Sequence, residues 1–444
     1  MLILNISQQA PETPPTRSFE HILDDGNISS TQILVVSISF LLMILDGFDI
    51  TSMSFVAQRV SEELHISPTN LGVIFSVTLA GMMMGAMFIA PYADKIGRRK
   101  MLIGSVFVIG LSMLLTGFTS TLWQLIVLRT ITGLGVGSML ANLTALTAEY
   151  TPTKYRSFSV AIVAAGFPLG ATLGGIIVAP VLPVYGWQII FMGLGVVTLL
   201  MTVVVYLFVP ESLQFLRTVG TNQALSKANI LLTGMQRQEI DSFPSEHRDV
   251  MPKASVLSLL VPDMRAKTIR LWLTFFLVFV SLYFLMSWLP KLIINAGLSE
   301  SDGVFSAVAL NGGGVIGTLL LGWFAAHMGL TKLIGIFLGL AGIMMLLFGL
   351  MFEHVNLFVL LFVIGFFLQG GFVGLYSASA KLYPTEIRAT GIGWALGLGR
   401  FGAVVGPYVG GLFIASGFSM ELNFVIFSLP LLLSGLLAVS LKIR

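Results

Sequence analysis

Cysteine is missing from all 444 residues. Disulfides, thiol nucleophiles and thiolate metal sites are thereby excluded, and the redox state of the compartment leaves no mark. Charge is nearly as scarce: Asp, Glu, Lys and Arg make up 10 % of the chain, against about 25 % in a soluble domain. Most of this chain must therefore face something other than water. The net charge of +3 is too small and too dispersed to favour nucleic acid. The histidines, His21, His65, His247, His327 and His354, fall in loops or tails, so no metal site is expected. No glycine loop of the phosphate-cradling kind occurs, which argues against ATP as a driving force and leaves no bound cofactor to expect.

What is abundant is apolar. Hydrophobic residues account for 56 % of the chain. Stretches long enough to cross about 30 Å of hydrocarbon number twelve, near 32–55, 69–92, 100–119, 122–147, 157–180, 187–209, 269–293, 302–325, 333–352, 355–380, 390–415 and 422–441. The expected fold is thus an all-α membrane protein with no strand. Residues 1–31 read as a polar cytoplasmic tail, because Gln8, Gln9, Pro11, Pro14 and Pro15 interrupt any signal-like apolar core. Residues 210–268 read as a polar linker carrying Arg217, Lys227, Arg237, Glu239, Asp241 and Arg248. The linker separates six spans in 32–209 from six in 269–444.

The two sets of six are copies. At an offset of 232 residues Gly81 and Gly85 fall on Gly313 and Gly317, Gly110 and Gly133 on Gly342 and Gly365, and Gly170 and Gly174 on Gly402 and Gly406. Pro152, Thr153 and Arg156 fall on Pro384, Thr385 and Arg388. Self-similarity without gaps points to a duplicated membrane domain. Parallel halves of this kind belong to transporters that hold their substrate between them. Lys and Arg set the orientation: nearly all of them fall on the loops that face one side, with Arg59 and Lys291 alone assigned to the loops opposite and Arg129 and Arg400 inside spans. The basic side is cytoplasmic, and both termini lie there.

The loop after span 2 runs from Ala90 through Asp94, Lys95, Gly97, Arg98 and Arg99 to Lys100. Gly97 permits a tight turn, Asp94 can cap a helix or meet a cation, and the basic run stays inside. The spacing resembles the signature loop of the major facilitator superfamily, with Ala90 where that pattern has glycine. The resemblance implies that Asp94, Gly97, Arg98 and Arg99 latch the halves together in one state. The second copy, with Ala326 and His327, lacks the acid. Pro210-Glu211-Ser212 resembles a segment of sugar-porter and organic-ion relatives. Arg156 and Arg388, with Glu149 nearby, resemble the family's charged loops after spans 4 and 10 and would join the latch, Glu149 serving as relay or gate.

Four charges are expected deep in spans: Asp46, Asp49, Arg129 and Arg400. At about 1.5 Å per residue from residue 32, Asp46 lies roughly 21 Å and Asp49 roughly 26 Å into the first span, on one helix face. Buried acids are costly and typically sit in proton relays. Arg400, near the middle of span 11, offers a planar fork to a carboxylate. Arg129 suits the span 1 acids as a relay or gate better than it suits a ligand. Asp46-Gly47-Phe48-Asp49 and Gly399-Arg400-Phe401-Gly402-Ala403 resemble the aromatic acid:proton symporter family. Asn142, Asn311, Gln369, Tyr376 and Trp394 are candidate substrate contacts beside Arg400.

The expectation is a secondary active importer in the inner membrane that carries a small organic anion inward with protons by alternating access, driven by the proton gradient and acting as a monomer. The resemblance makes that anion an aromatic carboxylate such as a benzoate or hydroxybenzoate. A carrier of another mono- or dicarboxylate, a drug:proton antiporter and a transporter-like sensor are the alternatives. Catalysis is not expected.

Overall fold

Side-chain caps start the helices where the apolar runs begin. Ser29 and Gln32 form a capping box ahead of α1 (Ser30–Phe55), Thr121 and Gln124 ahead of α4 (Leu122–Tyr150), and Ser299 and Asp302 ahead of α8 (Glu300–Met328). Each box satisfies backbone N–H groups that a helix start leaves free. Between these run α2 (Pro68–Met84), α3 (Arg98–Thr116), α7 (Pro262–Asn295), α9 (Leu330–Met351), α10 (Leu357–Leu382), α11 (Thr385–Ala415) and α12 (Met420–Val439). The helix Thr153–Phe208 breaks at Gly186 (φ 77°, ψ 175°) into α5 and α6. A side chain would strain that backbone, so the span boundary needs glycine. The computed structural model describes residues 19–24, 28–243, 256–351 and 356–441, and among them there is no strand. Among the described residues eleven helices are long and apolar enough to cross a membrane, and the break in one of them yields the twelve expected segments.

The sequence repeat reappears as a packing repeat. A Cβ on Gly170 would strike the Ile44 carbonyl, and one on Gly402 would strike that of Phe276. Gly81 and Gly313 press in the same way on Thr130 and Phe362, and Gly133 and Gly365 on Thr78 and Leu310. In every case the partner has moved by the same offset as the glycine. The duplicated glycines thus let α1 approach α5, α2 approach α4, and their counterparts α7 approach α11 and α8 approach α10. Small residues of this kind are what close helix packing in lipid requires.

The two halves touch through α1 and α7, α2 and α11, and α5 and α8. Their named contacts lie at the end of the bundle away from the linker. Gly72 of α2 meets Pro407 and Gly411 of α11, and Gly175 of α5 meets Val304 and Val308 of α8. Phe75 packs edge-on against Trp288, centroids 5.4 Å apart. Trp288 is fixed within its own half by donating to the Pro407 carbonyl at 2.8 Å, whereas Ser76 reaches across to donate to the Val404 carbonyl at 2.7 Å. Arg59 grips Glu300 through two bonds of 2.5 and 3.0 Å.

One expectation needs correction. Lys291 is not in a loop: it lies within α7 and is buried. Its apolar neighbours Leu289, Leu292 and Ile293 carry it inward with the helix. The linker carries helices that its composition does not mark. Helices occupy Leu213–Val219 and Asn222–Gly234, and α7 already starts at Pro262. Residues 244–255 of the linker, 1–18 of the tail, and the side chains of Ala326 and His327 lie outside the described residues.

Candidate functional site

Arg129 and Asp49 form a fully buried ion pair. Nη1 donates to Asp49 Oδ1 at 3.1 Å, with the side chains 1 % and 2 % exposed. Nη2 donates to Thr116 Oγ1 at 3.2 Å, and the Phe191 ring lies under the guanidinium at 4.8 Å. Thr116 in turn donates to the Ser112 carbonyl. The pair is therefore held by α1, α3, α4 and α6, all in the first half. Charge-assisted bonds and ring contact offset part of the cost of taking both ions out of water, while Asp49 Oδ2 and Arg129 Nε have no hydrogen bond to a described residue.

Asp46 lies one turn earlier and is equally buried, yet neither carboxylate oxygen has a hydrogen-bond partner among the described residues. Its charge interacts with Asp49 and, across the boundary between the halves, with Arg400. Arg400 also lies within electrostatic range of Tyr283 on α7 and Tyr376 on α10. The Arg400 side chain is half-buried and makes no hydrogen bond or ion pair to a described residue. Four helices from both halves thus bring one acid, one guanidinium fork and two phenols together.

Aromatic rings continue this surface. Tyr283 stacks on Phe279 at 5.5 Å, and Phe372 meets both Phe279 and Tyr376 edge-on. Tyr376 also packs edge-on against Phe275 at 5.9 Å. Trp394 and Tyr376 are exposed, and Trp394 lies 6.1 Å from Trp272. Gln369 and Asn311 face each other, Nε2 donating to Oδ1 at 3.2 Å, while Asn311 donates to the Ala307 carbonyl of its own helix. Asn142 is buried and donates to the Ser138 carbonyl of α4. Tyr283 belongs with Arg400 by geometry. Its residue type gave little reason to choose it, since tyrosine in a span is more often packing or an anchor.

At the linker end the signature loop is tied to its own half. Gly97 adopts φ +103°, a region that favours glycine. Arg98 pairs with Glu149 at 2.5 Å, and Glu149 accepts from Ser212 at 2.6 Å. Glu211 accepts from the Arg99 amide at 3.0 Å, and Tyr150 donates to the Glu211 carbonyl. The Pro210-Glu211-Ser212 segment thereby fastens the loop to α4. Asp94 stands apart. Its side chain is 77 % exposed and 3.8 Å from Arg98, and it does not cap α3. Arg388 donates to the Tyr383 carbonyl at 3.3 Å, and Arg156 is half-buried at the start of α5.

This architecture matches the family model described as the Major Facilitator Superfamily over residues 39–351 and 304–444. Among its relatives is the 4-hydroxybenzoate transporter PcaK of Pseudomonas putida, 35 % identical over 90 % of each chain. A gallate transporter of the same species is 32 % identical, covering 92 % of this chain and 91 % of its own length. The benzoate transport protein of Acinetobacter baylyi is 30 % identical, over 93 % and 90 %. Among solved structures, a D-xylose-proton symporter superposes with a TM-score of 0.73 at 17 % identity, covering 92 % of this chain and 97 % of its own. A bacterial homologue of the lysosomal transporter Spinster, solved inward-facing, also scores 0.73 at 16 % identity, covering 93 % and 97 %. The chain is a multi-pass membrane transporter, not an enzyme. It belongs to the Major Facilitator Superfamily, in the branch that holds these aromatic-acid transporters.

Proposed function

We propose that this protein imports an aromatic carboxylate of the benzoate or hydroxybenzoate type together with protons across the cytoplasmic membrane. The observation that carries the reading is Arg400. A guanidinium that cannot be deprotonated stands where the halves meet, without a counter-ion in contact among the described residues, within electrostatic range of Tyr283 and Tyr376, whose rings pack on Phe279 and Phe372. That arrangement suits a flat ring ending in a carboxylate, and the substrates named for the relatives agree with it. Asp46 supplies a titratable group at the same junction. Uptake into proteoliposomes tests this. An inward proton gradient should drive accumulation of 4-hydroxybenzoate or benzoate over a dicarboxylate such as succinate. Proton efflux on adding substrate would indicate antiport instead, and no uptake of any aromatic acid would sink the reading.

The linker and both termini are taken as cytoplasmic, so the closed end of the bundle faces outward and transport rocks 32–209 against 269–441. The absence of native cysteine makes the closed end easy to test. In Arg59→Cys/Glu300→Cys, a short bismaleimide should join the halves and stop transport, while either single mutant treated alike keeps working. Undiminished uptake in the cross-linked protein would show that this end need not open.

Asp94 is proposed to be the latch residue of the alternate state. It is exposed and weakly held here, as expected of a group whose partner forms only when the linker end closes. Asp94→Asn should lower the maximal uptake rate, because a shift of about 1.4 kcal/mol changes the ratio of two states tenfold. The substrate Kd should change less than a few-fold. A defect confined to affinity would leave the loop as a topology signal only.

A further inference from the structure

We propose that Asp46 alone is the carboxylate that couples proton to substrate, and that Asp49 with Arg129 is a fixed positioning pair inside the first half. The inference rests on the symport reading above and says which acid performs it. Coupling requires a group that senses what happens between the halves. Asp49 does not: its partner Arg129 sits on α4, braced by Thr116 of α3 and Phe191 of α6. All of these travel together when the halves rock. Asp46 does, because Arg400 of the second half lies within its electrostatic range.

The surroundings of Asp46 sharpen the distinction. A cavity of about 10 Å³ beside the two acids is lined by Leu42, Leu45, Ile109, Val136, Met139 and Thr198. It offers little to solvate an anion. The titratable and charged groups facing Asp46 are Asp49 on its own helix, Tyr283 on α7 and Arg400 on α11, with Arg129 of α4 engaged by Asp49. A buried carboxylate without a hydrogen bond is costly. Asp46 has none to a described residue, so it is stable here as the neutral acid or within range of a free Arg400 charge. When substrate occupies Arg400, that compensation is withdrawn and a proton on Asp46 replaces it.

Charge accounting then gives the coupling rule. Empty, the junction holds one anion and one cation, Asp46 and Arg400. Fully loaded, it holds the substrate carboxylate on Arg400 and a neutral Asp46. Both forms are neutral overall and can be enclosed. Substrate without a proton leaves a net negative charge to bury, and a proton without substrate leaves a net positive one. Either half-loaded form resists closure, because an uncompensated buried charge is costly.

Binding measured against pH tests the assignment. Linkage requires that a proton and a substrate which favour each other do so reciprocally. For wild-type protein in detergent, the Kd for 4-hydroxybenzoate should rise as pH increases from about 6 to about 8, a range in which the ligand's carboxyl is ionised and its phenol is not. In Asp46→Asn the Kd should be independent of pH, and proteoliposomes should exchange substrate without concentrating it. In Asp49→Asn/Arg129→Met the slope should persist even though turnover falls. A slope that survives in Asp46→Asn, or one lost only in the double variant, overturns the proposal. If the double variant does not fold, the Asp46→Asn slope decides alone. A flat wild-type profile overturns symport itself, and the assignment with it.

Discussion

Arg400→Lys should keep its charge and lose most of its affinity. A guanidinium can meet a carboxylate with two parallel N–H bonds, whereas an ammonium is a point charge on a flexible stem. Losing one charge-assisted hydrogen bond costs about 1.5–3 kcal/mol, so the Kd for 4-hydroxybenzoate should rise about ten- to hundredfold. The side chain has no bond to a described residue, so little of the fold depends on it and the midpoint of thermal unfolding should hardly move. Arg400→Met, which removes the charge as well, should abolish saturable binding in the same assay. Titration calorimetry on purified protein reads both effects. A Kd for Arg400→Lys within about threefold of wild type, a difference of roughly 0.7 kcal/mol, would remove Arg400 from the binding site.

Much of the fold is written in the sequence because lipid allows so few solutions. Apolar length and the duplicated glycines each answer to one physical constraint. The glycine pairs are the clearest instance: Gly170 on Ile44 and Gly402 on Phe276 are the same contact made twice. The linker was less legible. Its polar composition hides the helices at Leu213–Val219 and Asn222–Gly234, since helices outside the membrane leave no long apolar run.

The candidate site was legible as a set of residue types but not as a set of partners. Asp46 and Asp49 share a face in sequence terms, yet three residues along a helix still turn the side chain by about 60° from exact alignment. That rotation directs Asp49 to Arg129 and leaves Asp46 within electrostatic range of Arg400. No local pattern reveals it, because the partners lie on distant helices. The repeat does supply a signal beyond the glycines. At the internal offset the positions of Asp46, Asp49 and Arg129 correspond to Val278, Ser281 and Leu361, and that of Arg400 to Pro168. All four of these charges stand where the copies differ. A duplicated scaffold keeps what packing needs in both halves, while each of these charges stands in one copy alone.

Arg129→Leu should destabilise the protein far more than Arg400→Lys or Asp94→Asn does. It removes one member of a pair whose side chains are 1 % and 2 % exposed and strands the Asp49 carboxylate among apolar helices. Breaking a buried pair from one side costs about 3–5 kcal/mol, because the remaining charge is neither solvated nor compensated. The loss also frees Thr116 Oγ1 and uncovers the Phe191 ring. The unfolding midpoint in detergent should fall sharply, with poor recovery of folded protein. Arg129→Met/Asp49→Asn removes both charges and keeps much of the volume, and replacing a buried pair by matched neutral groups is often close to neutral. The double variant should therefore recover most of the lost stability, a non-additivity expected only of groups in contact. If the double variant is as unstable as Arg129→Leu, the cost lies in packing around the guanidinium rather than in the orphaned charge. If Arg129→Leu unfolds at the wild-type midpoint, the pair does not hold α1 to α4.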